Sequence, residues 1–87
     1  MKNIIWTQTA WKQYTEWQTT DKKTVKRIND LIRDILRNGL LSGIGKPEPL
    51  KQRKVFSRRI DDRNRLIYHS DADHNLIIFA CKGHYEE

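Results

Sequence analysis

Three stretches decide the fold: Val55-Phe56-Ser57-Arg58-Arg59-Ile60, Arg65-Leu66-Ile67-Tyr68-His69-Ser70 and Leu76-Ile77-Ile78-Phe79-Ala80-Cys81-Lys82. Each is short and rich in β-branched and aromatic residues, as strands are. Between them stand Asp61-Asp62-Arg63-Asn64 and Asp71-Ala72-Asp73-His74-Asn75, both built from turn residues. Turns this short join antiparallel neighbours, so the region reads as an antiparallel meander. Alternation along the middle strand puts Leu66 and Tyr68 on the core side and Arg65, Ile67 and His69 on the other. Arg58 and Arg59 point to opposite sides by the same rule, so only one of them serves any given site. Arg58 reads as a solvated charge at the sheet edge.

Upstream of the meander, Leu40 to Pro49 is a loop with Gly43, Gly45, Pro47 and Pro49. A helix precedes it. Asp21 caps its start, and Val25, Ile28, Leu31, Ile32, Ile35 and Leu36 recur at helical spacing on one buried face. Asn38 and Gly39 end it, where a left-handed residue is needed. Thr7 or Thr9 caps an earlier helix on which Trp11, Tyr14 and Trp17 form an apolar stripe for the core. Asn3 to Trp6 is a short first strand. The order is strand, helix, helix, then three or four strands (β-α-α-β-β-β, with a further β possible). That order implies an α+β fold with two helices packed on one face of an antiparallel sheet of four or five strands. The other face is left free for a substrate.

With 87 residues the chain is read as a single domain, 1–87. Cys81 is the only cysteine, which excludes a disulfide within the chain. It reads as a small core residue of a strand in a reducing compartment. His69, His74, Cys81 and His84 lack the spacing of a zinc finger, and no metal or cofactor is expected. Met1 to Trp6 has no apolar run of signal-peptide length and no segment is long enough for a membrane span, so the expected compartment is the cytoplasm, with no membrane partner. Lys and Arg outnumber Asp and Glu by 17 to 11, for a net charge of +6. Such a balance favours an anionic partner, most often nucleic acid. The charged face of the second helix, with Lys22, Lys26, Arg27, Arg33 and Arg37, is either simply solvated or a ridge for anions.

Three groups carry possible chemistry. Glu48 lies in Lys46-Pro47-Glu48-Pro49-Leu50-Lys51, where a proline on each side restricts the backbone and can hold a carboxylate in place at little entropic cost. Arg65 opens the middle strand on the free face, and a guanidinium fork matches two phosphate oxygens. His84 stands near the end, and imidazole titrates close to neutrality, as a general acid should. Each alone has a bland reading: an exposed turn acid, a solvated charge, a surface histidine. Together on one basic sheet face they are the minimum set for breaking RNA. A base takes the proton of the ribose 2′-hydroxyl, the oxyanion attacks the adjacent phosphorus, arginine stabilises the charge on phosphoryl oxygen, and an acid protonates the departing 5′-oxygen.

The sequence resembles the YoeB (Txe) branch of the RelE/ParE toxin superfamily over nearly its whole length. The likeness is carried by Trp11 and Trp17, Ile28-Asn29-Asp30-Leu31-Ile32, Gly45-Lys46-Pro47-Glu48-Pro49-Leu50-Lys51, Ser57-Arg58-Arg59-Ile60, Arg65-Leu66-Ile67-Tyr68 and His84-Tyr85. The resemblance implies a RelE-like microbial RNase fold and a type II toxin. Such a toxin is a ribosome-dependent endoribonuclease that cuts mRNA in the A site and is neutralised by an acidic cognate antitoxin. It implies Glu48 as base, Arg65 as phosphate stabiliser and His84 as acid. Lys46, Lys51, Arg59 and Tyr85 are implied substrate contacts. The family includes dimers, so a homodimer is compatible. Two departures stand out: the stretch Gln52 to Phe56 is shorter than the usual family loop, and Glu86 and Glu87 follow the usual terminal Tyr. Three other readings share this fold: a non-catalytic RNA-binding module, a corepressor active only with its antitoxin, and a gyrase-poisoning relative.

Overall fold

Asp21 divides the N-terminal part of the chain into two helices. Its carboxylate accepts hydrogen bonds from the N–H groups of Lys23 and Thr24 and from the Thr24 hydroxyl, which caps α2 (Lys22–Asn38) while ending α1 (Gln8–Thr20). Thr7 caps α1 by accepting from Ala10 N at 3.0 Å, and its hydroxyl donates to Phe79 O at 3.0 Å, so the cap also ties the helix to the sheet. Gly39 ends α2 with a φ of 92°. The computed structural model describes residues 1–51 and 54–84.

The strands are β1 (Ile4–Trp6), β2 (Glu48–Pro49), β3 (Phe56–Arg59), β4 (Arg65–Ser70) and β5 (Leu76–Ala80), in the sheet order β1-β5-β4-β3-β2. The expected α+β architecture holds, with the helices packed against a five-stranded, mostly antiparallel sheet. One pair departs from the antiparallel expectation: β1 runs parallel to β5, with Ile4 opposite Leu76 and Trp6 opposite Ile78. Tight turns force antiparallel pairing only between consecutive strands. β1 and β5 are separated by both helices and the rest of the meander, and a connection that long permits a parallel pair. The expected loop up to Pro49 also hides a strand. Glu48 pairs with Ser57 and Pro49 with Phe56, at the sheet edge where a proline withholds no needed donor.

The core joins Ile28, Leu31, Ile32 and Ile35 of α2 to Leu66, Tyr68, Leu76 and Ile78 of the sheet, with Ala10, Ile60 and Cys81. The Trp11–Tyr14–Trp17 stripe is only partly core. Steps of three residues drift by about 60° each around a helix, so three such positions cannot all face inward. Tyr14 and Trp17 pack on the core, whereas Trp11 is 53% exposed and rests edge-on against Trp6 at 6.0 Å. Trp17 Nε1 donates to Cys81 O at 2.9 Å. Leu36, at the margin of the α2 face, is also exposed.

Arg58 is the clearest correction. It is not a solvated edge charge but fully buried. Its Nε donates to the Tyr68 hydroxyl at 3.0 Å. Nη1 donates to Asp34 and to Ile44 O, and Nη2 to Gly39 O and Ser42 O. A charge can sit inside the protein because every one of its N–H groups has an acceptor.

Candidate active site

β4 exchanges strand pairs with β3, setting Arg65 opposite Arg59 and Ile67 opposite Ser57. Ser57 is in turn opposite Glu48. Cross-strand partners share a face, so Glu48, Ser57, Arg59 and Arg65 lie together on the side away from Arg58 and the helices. This is the sheet face expected to be free.

Two of the expected residues touch. Arg65 Nη1 lies 3.2 Å from Glu48 Oε1, with the arginine side chain mostly covered and the carboxylate half open to solvent. Ser57 sits buried beneath them. Its hydroxyl is within 3.4 Å of Glu48 Oε1, to which it donates, and 3.5 Å from Arg65 Nη1, from which it accepts. The sequence reading passed over Ser57 as a candidate. Its place two residues before Arg59 on one strand was the available signal, but only the register with Glu48 makes it meaningful.

His84 is exposed and follows Gly83, whose carbonyl accepts from Arg65 N at 3.1 Å and whose N–H donates to Asn64 Oδ1 at 2.7 Å. These two bonds hold the end of the chain against the start of β4, so His84 enters next to Arg65 along the backbone. Among the described residues no hydrogen bond or ion pair joins His84 to Glu48 or Arg65. Arg59 is exposed on the same face as Arg65, and its N–H donates to Gly45 O at 2.7 Å. Lys46 and Lys51 are exposed on either side of β2, with Lys46 in a left-handed conformation at φ 51°. Tyr85, Glu86, Glu87 and the Gln52–Arg53 part of the shortened loop lie outside the described residues.

The remaining titratable candidates fall away. Burial pushes the Cys81 thiol up to about 12, and its Sγ faces Ala10 O, so it is a core residue and no nucleophile. His74 is exposed in the β4–β5 turn. His69 packs its ring 5.3 Å from Phe79, farther along β4 than Arg65. On α2, Asp30 pairs with both Lys26 and Arg33, which partly neutralises the basic helix face. A hollow of about 480 Å³ on the helices, lined by Lys22, Lys26 and Arg33 among others, shares no residue with the Glu48–Arg65 pair. Among the described residues no helix is long and apolar enough to cross a membrane.

Known proteins with this sequence pattern carry the same architecture. A family model for the YoeB-like toxin of bacterial type II toxin–antitoxin systems matches residues 6–85. Toxin YoeB of Escherichia coli K12 is 46% identical over 84 residues, 94% of this chain and 98% of the relative. A YoeB dimer from Staphylococcus aureus superposes with a TM-score of 0.89 at 47% identity, covering 95% of this chain and 97% of that one. A heterotetrameric YoeB–YefM toxin–antitoxin complex from the same organism gives 0.87 at 47% identity, with the same coverage. Overall fold and sequence identity over nearly the full length agree, and the chain belongs to the YoeB-like toxins of bacterial type II toxin–antitoxin systems.

Proposed function

We propose that this toxin is a ribosome-dependent endoribonuclease, a single catalytic domain over residues 1–87 that acts in the cytoplasm and cuts mRNA in the A site to halt translation. The observation that carries the reading is the Glu48–Arg65 contact on the sheet face away from the helices, with His84 entering beside Arg65. Glu48 removes the 2′-hydroxyl proton. Arg65 neutralises the phosphoryl oxygens as charge builds there. His84 protonates the leaving 5′-oxygen. The nucleophile belongs to the substrate, so the scheme uses neither a metal nor a covalent enzyme intermediate. Lys46, Lys51, Arg59 and Tyr85 hold the RNA backbone or its bases. The Glu48–Arg65 ion pair fits a resting site: an incoming phosphate takes the guanidinium and frees the carboxylate for the ribose.

The proposed partners are the ribosome with its mRNA and an acidic antitoxin, by analogy with the YoeB–YefM complex of the Staphylococcus aureus relative. Self-association, as in the dimeric relative, is a further expectation, and the exposed Ile4, Trp11 and Leu36 offer apolar surface for it. The test is incubation of purified protein with translating ribosomes, followed by mapping of mRNA ends. New ends within the A-site codon are expected from the wild type and not from Glu48→Gln/His84→Gln. RNA binding without new ends would favour the non-catalytic module. DNA breaks in a gyrase assay would favour the gyrase poison. Operator binding with antitoxin, in a chain that never cuts, would favour the corepressor.

A further inference from the structure

Arg58 has no part in the proposed chemistry, yet it spends all its donors inside the protein. Three of its acceptors are main-chain carbonyls of one turn: Gly39 O at 2.8 Å, Ser42 O at 2.8 Å and Ile44 O at 2.9 Å. The other two acceptors hold the same turn from elsewhere. Tyr68, on the neighbouring strand, donates its hydroxyl to Leu40 O at 2.6 Å. Asp34, on α2, accepts from Ile44 N at 2.9 Å and from Asn38 Nδ2 at 2.8 Å. Three side chains from a helix and two strands thus fix the path of residues 39–44.

The exit from that turn is fixed as well. Gly45 O accepts from Arg59 N at 2.7 Å, and a Cβ at Gly45 would stand 2.7 Å from Leu31 Cδ2. Only Lys46 and Pro47 lie between this anchor and Glu48. Pro47 restricts both itself and its predecessor, and Lys46 already occupies a strained left-handed conformation. Little slack remains to move Glu48 independently of the turn. β3 closes the loop of contacts, because Arg58 on its inner side and the Arg59 N–H hold the turn and its exit while Ser57 on the outer side meets Glu48, which the turn delivers.

A buried ion pair is a weak source of stability compared with apolar packing of the same volume. Its expense is better explained by what it specifies. We propose that Arg58, Asp34 and Tyr68 form a positioning unit for the general base, holding residues 39–45 so that Glu48 enters β2 opposite Ser57 and within reach of Arg65. The inference rests on the reading of Glu48 as the base. None of the three is a catalytic residue, since none faces the substrate side of the sheet.

The test uses Asp34→Asn and Tyr68→Phe in the full-length toxin. Each is assayed alone and with Glu48→Gln, in single-turnover cleavage of ribosome-bound mRNA over a range of ribosome concentrations. The expected result is a fall of about tenfold or more in the maximal rate, since small misplacements of a reacting group are costly. The half-saturating concentration stays unchanged, because the RNA-facing cations are untouched. In the Glu48→Gln background the same substitutions have no further effect, as coupled residues should. Tyr68→Phe removes one oxygen and keeps the core shape, so it decides the matter if Asp34→Asn fails to fold. Wild-type rates in folded single variants would overturn the proposal. So would an equal loss with and without Glu48→Gln, which would mean the unit acts on something other than the base. A Glu48→Gln toxin that cuts at the wild-type rate would instead overturn the assignment of the base itself.

Discussion

Glu48 and Arg65 share an ion pair at 3.2 Å, but their proposed roles differ and so should their variants. Glu48→Gln and His84→Gln each remove a proton-transfer group, for which about 10²–10⁴-fold losses in cleavage are expected, without loss of folded structure by circular dichroism. Arg65→Ala should lower the maximal rate more than it weakens ribosome binding, because the charge it meets develops in the transition state. Wild-type rates from the Glu48→Gln/His84→Gln double variant in a quenched-flow assay would refute the scheme. The sequence singles out these three as candidates because their signals are local: prolines around one, strand alternation for another, an imidazole near the chain end. The Glu48–Arg65 contact is the part of that grouping the fold brings together. Ser57 and Arg58 were not. Two adjacent arginines in a strand look alike until pairing decides which faces in, and Arg58 finds its acceptors in residues 34 to 44 and at Tyr68, far away in sequence. Gly43 belongs with them. With φ at 115° and a would-be Cβ 1.8 Å from Asp34 Oδ2, Gly43→Ala should destabilise the fold by about 1–3 kcal/mol, measurable as a lower denaturant midpoint.

The helices and the long meander strands follow from periodicity and capping, which is why their placement was readable. The two-residue strand carrying Glu48 is too short and proline-rich to show a strand pattern, and the parallel β1–β5 pair depends on long-range pairing that no local pattern announces. Aspartates do much of the work at element ends, and acid should expose this. Burial raises the Asp34 carboxyl, but hydrogen bonds from Arg58, Ile44 N and Asn38, with the Arg58 charge, outweigh it and hold the group below the ordinary 3.8. Burial likewise opposes the shift at Asp61, where bonds from Asn64 and from the N–H groups of Arg63 and Asn64 prevail. Asp71 is lowered chiefly by the backbone N–H and side chain of Asn75. Each of these groups binds a proton more weakly when folded than when unfolded. Their stabilisation is therefore present above 3.8 and is lost as pH falls from that value through the lower folded pKa. Acid unfolding of the wild type should be steep in this window, and Asp34→Asn should flatten it while starting from a lower stability at neutral pH. A curve of unchanged slope in the variant, followed by tryptophan fluorescence, would count against Asp34 as a contributor.

On the scale of the whole molecule, a net charge of +6 is spread over a body only 33 Å in its longest dimension. A particle this small offers little surface for holding a flexible RNA strand in line for attack, so the ribosome is expected to supply that geometry, and docking on ribosomal RNA should weaken as salt rises. The same charge shapes the antitoxin. An acidic partner is drawn quickly to a basic toxin, and a segment that is disordered when free can wrap a large part of a small domain. The exposed cations of the candidate site, Arg59 with Lys46 and Lys51 beside β2, are where its carboxylates should bind. The half of the same sheet face built from Ile5, Ile77 and Phe79 should take its apolar residues, because Ile5 and Phe79 are exposed there and offer apolar surface. Inhibition should then come from covering Arg65 and drawing His84 away from it, since among the described residues the Gly83 contacts are what hold that end against the start of β4. Titrating mRNA cleavage with the product of the neighbouring gene should abolish activity at a stoichiometric ratio set by the complex. Hydrogen exchange should slow in residues 59–84 and leave the exposed face of α2 unchanged. Persistent cleavage at excess antitoxin, or protection confined to the helices, would place the inhibitor elsewhere and remove the case for direct occlusion of the site.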